Sequence, residues 1–209
     1  MSFHPKTLGL SQRRVLRKLG PVATAQGFHL GGGTALAIHL GHRRSVDFDW
    51  FIEKMPAGPL ELAGVLKAAG LDLKTSDVQR GTLHGTVAGV RVSFIEYPYP
   101  PVAQLVEWPA YGCRLASLAD IACMKLSAIA QRGAKKDFFD IYALCTRFIP
   151  LAELLAIYRI RYRVKEIGHV IYGLSYFDDA ERERPPVMLW KLDWTTVKKS
   201  ISAWVAALR

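Results

Sequence analysis

The sequence predicts an α+β fold in which a mixed sheet with its helices, residues 1–112, precedes a helical subdomain packed on it, residues 113–209. Three successive runs of alternating apolar and polar residues, divided by Gly81 and Gly89, are typical of antiparallel strands. After Ser117 the apolar spacing changes to the period of helices. A chain of 209 residues can bury a core without disulfide staples.

The first part is predicted to begin with a basic helix that Ser11 can cap and that Pro21 interrupts or kinks. A short strand then leads into a glycine turn and a second helix, which should end at Gly41. A proline-rich connector over residues 98–109 follows the last strand. The predicted elements between are strand 28–30, helix 34–40, strand 46–52, helix 60–69 and strands 71–80, 82–88 and 90–97.

The second part is predicted to be helical throughout. Residues 117–131 and 135–147 show the clearest apolar stripes. Pro150 can start the next helix, because proline is tolerated in a first turn. Residues 195–208 are predicted to form the last helix.

The chain is strongly basic, with 28 Lys and Arg against 18 Asp and Glu, a net charge of +10 and a pI of about 9.7. Half of this surplus lies in residues 1–50, which carry seven basic and two acidic residues. A basic surface favours a polyanionic partner such as RNA or DNA. A generally basic protein without such a partner explains the charge equally well.

The cysteines and the lack of long apolar runs predict a cytoplasmic protein with no membrane contact. Cys113, Cys123 and Cys145 are odd in number, far apart and without a CxxC pair, as expected of reduced, buried thiols. The first 20 residues have no apolar signal core, and no apolar run approaches the ~20 residues of a membrane span.

Residues 31–51, GGGTALAIHLGHRRSVDFDWF, carry the strongest functional signal. Glycines between a strand and a helix let the backbone approach a ligand, and the helix N-terminus favours phosphate. Asp47 and Asp49 share one face of a predicted strand. Such carboxylates repel unless a cation lies between them, and Mg²⁺ takes oxygen ligands together with substrate phosphates. The segment therefore predicts a site for a nucleoside triphosphate and its metal.

Each half of this pattern is weak alone. A glycine triplet is usually only a turn, and a DxD at a strand end is usually solvated surface. The combination in one order, strand, glycine turn, helix and aspartate strand, is harder to explain that way. It is neither a GxxxxGK[ST] loop nor a GxGxxG fingerprint.

The segment resembles the signature of the AbiEii/AbiGii-type nucleotidyltransferases, the toxins of bacterial abortive-infection and toxin–antitoxin systems. These belong to the DNA polymerase β-like superfamily, in which such an aspartate pair binds two metals. The resemblance implies that the turn binds the β- and γ-phosphates, that the aspartates hold Mg²⁺ or Mn²⁺, and that Arg43 and Ser45 position the triphosphate or brace the turn. The family pattern, GG-S/T followed by HR-x-S-x-D-x-D, is matched by Gly32, Gly33, Thr34, His42, Arg43, Ser45, Asp47 and Asp49.

Residues 120–144 resemble a second block of that family, K…R…KD-x-x-D-x-Y. Lys125 and Arg132 share a helix face and could meet a polyphosphate or RNA across a cleft. Spacing alone favours a cap role for Asp137 and an ion pair with Lys136 or Arg132 for Asp140. The resemblance instead implies that Lys125 neutralises developing charge and that Asp137 or Asp140 orients it or activates the acceptor hydroxyl. The matching residues are Lys125, Arg132, Lys136, Asp137, Asp140 and Tyr142.

A third metal carboxylate is usual in this superfamily, on a later strand. In the predicted strand 90–97 the one carboxylate is Glu96, on an otherwise apolar face. Glu96 is therefore a candidate ligand. The alternatives are that the chain departs from the three-carboxylate pattern, or that Asp137 or Asp140 supplies the charge.

Together these features predict an enzyme that transfers a nucleoside monophosphate from an NTP to RNA, at the 3′ end of tRNA. The resemblance implies a toxin that blocks translation, a role in phage defence and a cognate antitoxin. Two alternatives remain open: transfer to a small molecule or protein, and a nucleotide- or RNA-binding module without catalysis. The intact Asp47 and Asp49 argue against the second.

Overall fold

The computed structural model describes residues 3–56 and 58–208 and contains a seven-stranded mixed sheet within them. The strands are β1 His29–Leu30, β2 Phe48–Ile52, β3 Leu73–Gln79, β4 Thr82–Val87, β5 Val90–Glu96, β6 Val106–Trp108 and β7 Cys113–Leu115. Their order is β3-β4-β5-β2-β1-β7-β6. The three alternating runs do form antiparallel neighbours, β3 to β4 to β5, and the α+β class is confirmed.

Helices surround this sheet and dominate the second half of the described chain. They are α1 Leu10–Ala25, α2 Gly32–Leu40, α3 Pro59–Ala68, α4 Leu118–Arg132, α5 Lys135–Arg147, α6 Leu151–Tyr162, α7 Gly168–Ser175, α8 Asp178–Glu181 and α9 Trp194–Ala206. Short 3₁₀ turns lie at Pro5–Thr7 and Pro109–Tyr111. The central helix is α4, which contacts α2, α5, α6 and α7.

Helix α1 differs from its prediction in two respects, its N-cap and the effect of Pro21. It begins after Gly9, so Ser11 does not cap it, and it continues through Pro21 to Ala25. A proline inside a helix removes a hydrogen bond. Buried Leu19 before Pro21 and buried Ala23 after it keep both halves of the helix on the core, which outweighs that loss.

The predicted connector and the residues directly after it contain two short strands that the sequence did not reveal. β6 and β7 pair antiparallel, and β7 also pairs parallel with β1 through Leu30 and Leu115. The sheet therefore continues past residue 112, the predicted end of the first part. Strands of three residues are too short for an alternation to be recognised, and Pro109 lies between them.

The sheet places the aspartate strand against the glycine turn. β2 runs antiparallel to β1 and parallel to β5, with Asp49 beside Ser93. Because side chains alternate along a strand, Phe48 and Trp50 enter the core while Asp49 faces the other way. The Gly31 N–H donates to the Asp49 carbonyl at 2.8 Å, which fixes the turn beside that carboxylate.

The three cysteines form no disulfide, as their spacing predicted. Burial raises the pKa of the Cys113, Cys123 and Cys145 thiols to about 12. They are therefore neutral thiols at physiological pH and unsuited to nucleophilic chemistry.

No single helix within residues 3–56 and 58–208 is both long and apolar enough to cross a membrane. Only α5 and α6 taken together reach that length and apolarity, across a bend of 110°.

Candidate active site

A cleft of about 510 Å³ lies between the start of α2, the entry to β2 and the face of α4. It collects most of the side chains that the sequence predicted, although they are up to about a hundred residues apart. Two acids and five bases line it. These charged residues are Asp47, Asp49, Arg43, Arg44, Lys125, Arg132 and Lys136, and the predicted Gly32, Gly33 and Ser45 also line the cleft.

Glycines are required in the turn because charged side chains pack directly against its backbone. Gly32 has a φ of +61°, and a Cβ there would lie 2.7 Å from the Asp49 Oδ2 atom. A Cβ on Gly33 would lie 2.5 Å from the Arg43 Nη2 atom. The first N–H groups of α2 have no acceptor within the helix, so the turn can present them to a phosphate.

Thr34 lies behind the turn and does not line the cleft. It is buried, and its hydroxyl contacts both the Asp47 carbonyl and the Ser45 Oγ atom, the latter at 2.8 Å. Because the carbonyl can only accept, Thr34 donates to Asp47 and accepts from Ser45. Gln12 adds a hydrogen bond from Nε2 to the Ser45 carbonyl at 2.9 Å. Thr34 therefore braces the loop that delivers Asp47.

Asp47 and Asp49 form the acidic side of the cleft, and the positive charge next to them is too small to balance two ionised carboxylates. Burial and the neighbouring Asp47 raise the pKa of Asp49 above its usual value. Asp47 accepts from the Arg91 Nε and Nη2 atoms at 2.6 and 3.1 Å. That pair is open to solvent, with side-chain exposures of 69% for Arg91 and 34% for Asp47. A divalent cation between the carboxylates would supply the missing charge.

Asp140 forms the centre of the opposite, basic wall and is fully buried. The Arg43 Nε and Nη2 atoms donate to its two oxygens at 2.6 and 2.8 Å, and the Lys125 Nζ atom lies 2.6 Å away. Burial would raise the pKa of Asp140, but Lys125 and Arg43 hold it well below the usual value. Burial lowers the pKa of His42, so its neutral imidazole donates from Nε2 to Asp140 at 2.8 Å.

Asp137 extends this network toward the cleft. The Lys125 Nζ atom donates to its Oδ1 at 2.7 Å, and the Arg132 Nε atom donates to its Oδ2 at 2.9 Å. Burial alone would lower the pKa of Lys125, but Asp140 and Asp137 outweigh that effect and raise it. Lys125 is therefore a permanent cation whose ammonium is fixed by two carboxylates.

The partners of Asp140 differ from those that spacing alone favoured. Neither Lys136 nor Arg132 pairs with it; the partners are Arg43 and Lys125. The reason is that α5 packs against both α2 and α4, which brings Asp140 to residues 97 positions earlier. Asp137 lies in the first turn of α5, where the N-cap Ala134 has no side-chain bond, and it binds side chains of α4 instead.

A family model described as the nucleotidyl transferase AbiEii toxin of a type IV toxin–antitoxin system matches residues 86–205, more than half of the chain. This chain belongs to the AbiEii toxin family. The resemblance stated from the sequence is confirmed. The matched range contains β5, α4 and α5, and so Lys125, Arg132 and both aspartates of the basic wall, but not His42 or Arg43.

Two further comparisons found proteins that are similar to this chain. An uncharacterized protein of Aquifex aeolicus (strain VF5) is 36% identical over 184 residues, 85% of this chain and 87% of its own. MenT4, the nucleotidyltransferase toxin Rv2826c from Mycobacterium tuberculosis H37Rv, superposes with a TM-score of 0.62 at 15% identity, over 94% of this chain and 83% of its own. The second comparison shows a shared fold.

The Megavirus polyadenylate synthase gives a TM-score of 0.49 at 16% identity. The superposition covers 66% of this chain and 32% of the synthase.

In this AbiEii-family chain Glu96 does not lie with the aspartates. It ends β5 on the side of Val92 and Phe94, and its Oε2 atom accepts the Met55 N–H at 2.9 Å. The β5 residue beside Asp49 is Ser93. Within residues 3–56 and 58–208 no group of three or more His, Cys, Asp or Glu side chains could hold a metal. Asp47 and Asp49 are thus the acidic ligands that the cleft offers.

Sequence reasoning missed two features of the AbiEii-family site, the residues beside its aspartates and one side of the cleft. Arg91 and Ser93 alternate with the core residues of β5, so their face was visible in the sequence, but their distance from Asp47 and Asp49 depends on strand pairing. Pro186 and Val187 form another side of the cleft, and the Val187 carbonyl accepts the Arg44 N–H at 2.9 Å. Nothing local in the sequence indicates that contact.

Proposed function

We propose that this chain transfers a nucleoside monophosphate from an NTP to the 3′ end of an RNA, most simply tRNA, with Mg²⁺ or Mn²⁺, and releases pyrophosphate. One observation carries this proposal: two aspartates face five cations across a cleft that begins at a glycine turn. A triphosphate with its metal matches both sides, because the phosphates need cations and the carboxylates need the metal.

Asp47 and Asp49 would hold the metal. Burial and the neighbouring Asp47 raise the pKa of Asp49, and a divalent cation bound by both carboxylates would offset that repulsion. Mg²⁺ is commonly bound through one or two carboxylates while phosphates and waters complete its shell. The bound metal would stabilise charge on the transferring phosphoryl oxygens.

The turn and the basic wall would bind the triphosphate. The backbone N–H groups of Gly32 and Gly33 would bind the β- and γ-phosphates. The Thr34 hydroxyl would not, because it already contacts the Asp47 carbonyl. Lys125 and Arg132 would neutralise charge that develops on the leaving pyrophosphate. Arg132 is the more accessible, with a half-exposed side chain.

Asp137 and Asp140 would act by positioning these cations. Both carboxylates are fully buried, and each oxygen already accepts from a cationic side chain. We assign them the orientation of Lys125, Arg43 and Arg132 rather than activation of the acceptor hydroxyl. A salt-bridged carboxylate in this setting fixes geometry without itself meeting substrate.

An RNA acceptor fits the charge around the cleft. Arg44 and Lys136 line it, are exposed, and form no ion pair within the described parts of the chain. With a net charge of +10, such exposed bases favour a long polyanion over a small acceptor. Modification of tRNA 3′ ends in the cytoplasm would block translation, which accounts for a toxin, its cognate antitoxin and a role in phage defence.

Incubation with each labelled NTP, Mg²⁺ and total tRNA tests the proposal. We expect label at RNA 3′ ends with the wild type and none with Asp47→Asn. Asp77→Asn, an exposed aspartate on β3, is the matched control and should label RNA normally. Equal labelling by Asp47→Asn, or no labelled RNA with the wild type, refutes the proposal. Label on a protein or on a small molecule would show that the acceptor is of that class and not RNA.

A further inference from the structure

A second cavity, of about 170 Å³, adjoins the cleft and has several aromatic side chains in its walls. We call it the tyrosine recess, and its relevant residues are His29, Phe51, Tyr97, Tyr99, Met124 and Arg161. Phe51 and Met124 also line the cleft, so the two cavities are neighbours that share these side chains. The recess contains none of the residues proposed to bind the metal or the phosphates.

The recess lies beside Asp49, toward the end of β2 where Phe51 pairs with His29. Phe51 is two residues after Asp49 on β2 and on the same face, roughly 7 Å along the strand. Its ring packs against the backbone of Gly31, where a Cβ would lie 2.6 Å away. A group attached to phosphates at Gly32 and the metal site would therefore find the recess next to it.

The rings of the recess are held in place before any ligand arrives. Phe51 and Tyr97 have centroids 5.8 Å apart, and Tyr97 and Tyr99 have centroids 5.0 Å apart. The Tyr97 and Tyr162 hydroxyl oxygens lie 2.5 Å apart. Arg161 is buried, pairs with Asp120 and lies 5.5 Å from the Tyr97 ring centroid. Ordered rings lower the entropic penalty for binding a flat ligand.

The recess has hydrogen-bond donors and acceptors that suit the polar edge of a heterocycle better than a purely apolar ligand. The buried Arg161 Nε atom has no hydrogen-bond partner among the residues that the structure describes. Burial lowers the pKa of His29 to about 4, so its neutral ring can both donate and accept near pH 7. Glu53 adds an exposed carboxylate acceptor.

We propose that the tyrosine recess binds a nucleobase by stacking, from either the NTP or the terminal nucleotide of the RNA. This inference rests on the proposed function, because it needs a nucleotide at Asp49. Nucleobases stack on aromatic side chains whatever their sequence. Tyr99, with 40% of its surface exposed, is the ring that a base can reach most readily.

Equilibrium binding to the full chain tests the recess, with Tyr99→Ala, Tyr99→Phe and the control Tyr172→Ala. Tyr172 is also exposed and also packs on a second tyrosine, Tyr176, but lines neither cavity. The probes are an NTP, inorganic tripolyphosphate, which has no base, and a short RNA oligonucleotide. Tyr99→Ala should weaken one base-containing probe roughly five- to 100-fold, while Tyr99→Phe, Tyr172→Ala and tripolyphosphate binding stay within about twofold of wild type.

The probe that weakens identifies the source of the base. Loss of NTP affinity alone assigns the recess to the incoming nucleotide, and loss of oligonucleotide affinity alone assigns it to the acceptor. If the wild type binds these probes and Tyr99→Ala binds them equally well, the recess proposal is overturned while the proposed function stands. Tyr99-dependent base binding by a protein that transfers no nucleotide would support the recess and overturn the proposed function. A wild type that binds no probe overturns both.

Discussion

Two aspartate pairs lie on opposite sides of the cleft, one lining it and the other buried behind its basic wall, and they differ in exposure, in ion-pair partners and in the direction of their pKa shifts. Asp47 and Asp49 reach solvent, and Asp49 has a pKa raised by burial and by its neighbour. Asp137 and Asp140 are fully buried, and cations lower the pKa of both despite that burial. The first pair has unused capacity for positive charge, while the second pair is saturated.

The contrast between the two pairs shows that the residue type and spacing of an aspartate do not by themselves determine its role in the site. Both pairs are short-range in sequence, and both match a family block. A carboxylate can bind a ligand only if its oxygens are not already satisfied, and it can fix other side chains only if they are. The structure therefore separates a pair suited to metal from a pair suited to holding Lys125, Arg43 and Arg132.

The substitution with the greatest predicted effect removes one carboxylate of the saturated pair, Asp137 and Asp140. Asp140→Asn leaves Arg43 and Lys125 buried without their shared carboxylate and should reduce the free energy of unfolding by about 3–5 kcal/mol. Urea denaturation at pH 7 measures it, and the exposed Asp77→Asn should stay within about 0.5 kcal/mol of wild type. A change below about 1 kcal/mol would mean that Asp140 is not the electrostatic centre of the wall.

The pH dependence of that loss gives a second check on the same pair. Because the folded pKa of Asp140 is lowered, its contribution is present above the unfolded value of about 3.9 and disappears as pH falls further. The difference in unfolding free energy between wild type and Asp140→Asn should therefore be constant from about pH 5 to pH 8 and shrink in acid. A difference that grew in acid would contradict the assignment.

The next effect concerns chemistry at the open pair. Asp49→Asn should lower nucleotide transfer by on the order of 10²–10³-fold, because loss of a metal carboxylate removes several kcal/mol of charge stabilisation. Initial rates of RNA labelling at saturating NTP and Mg²⁺ measure this. Retention of more than about a tenth of the wild-type rate would remove Asp49 from the metal site.

A smaller effect concerns Arg91, which pairs with Asp47 at 2.6 Å and would compete with a metal for that carboxylate. Exposed ion pairs of this kind contribute roughly 0.2–1 kcal/mol, so Arg91→Ala should tighten Mn²⁺ binding about two- to fivefold. Titration followed by the electron paramagnetic resonance of free Mn²⁺ gives the affinity. Arg80→Ala, an exposed arginine outside the cleft, serves as the control. Unchanged or weaker Mn²⁺ binding would show that Arg91 does not compete with metal.

The smallest expected effect is a gain in stability from Asp49→Asn without metal. A carboxylate whose folded pKa is raised contributes most below its unfolded pKa, and that contribution is lost as pH rises through the folded value. At pH 7 the ionised Asp49 is therefore destabilising, and the asparagine variant should unfold at a slightly higher urea concentration. The gain should vanish at pH 3 and be reversed in sign by saturating Mg²⁺, which stabilises only the wild type.

Local patterns in the sequence were sufficient to predict most of the longer helices and strands and many of the charged cleft residues. Alternation predicted β3 to β5, apolar periodicity predicted α5 over residues 135–147, and the glycine turn and Asp47 were visible as a motif. These features depend on backbone preferences and side-chain direction over a few residues, which a sequence displays directly.

Which of those residues can bind a metal and which form buried ion pairs depends on the tertiary structure. The pairing of Arg43 with Asp140 spans 97 positions, the strand beside Asp49 presents Ser93 rather than Glu96, and β7 joins the sheet after residue 112. Ion-pair partners, pKa directions and metal ligands depend on which elements meet and on how deeply they are buried. Those quantities arise from packing between distant segments, and no local pattern records them.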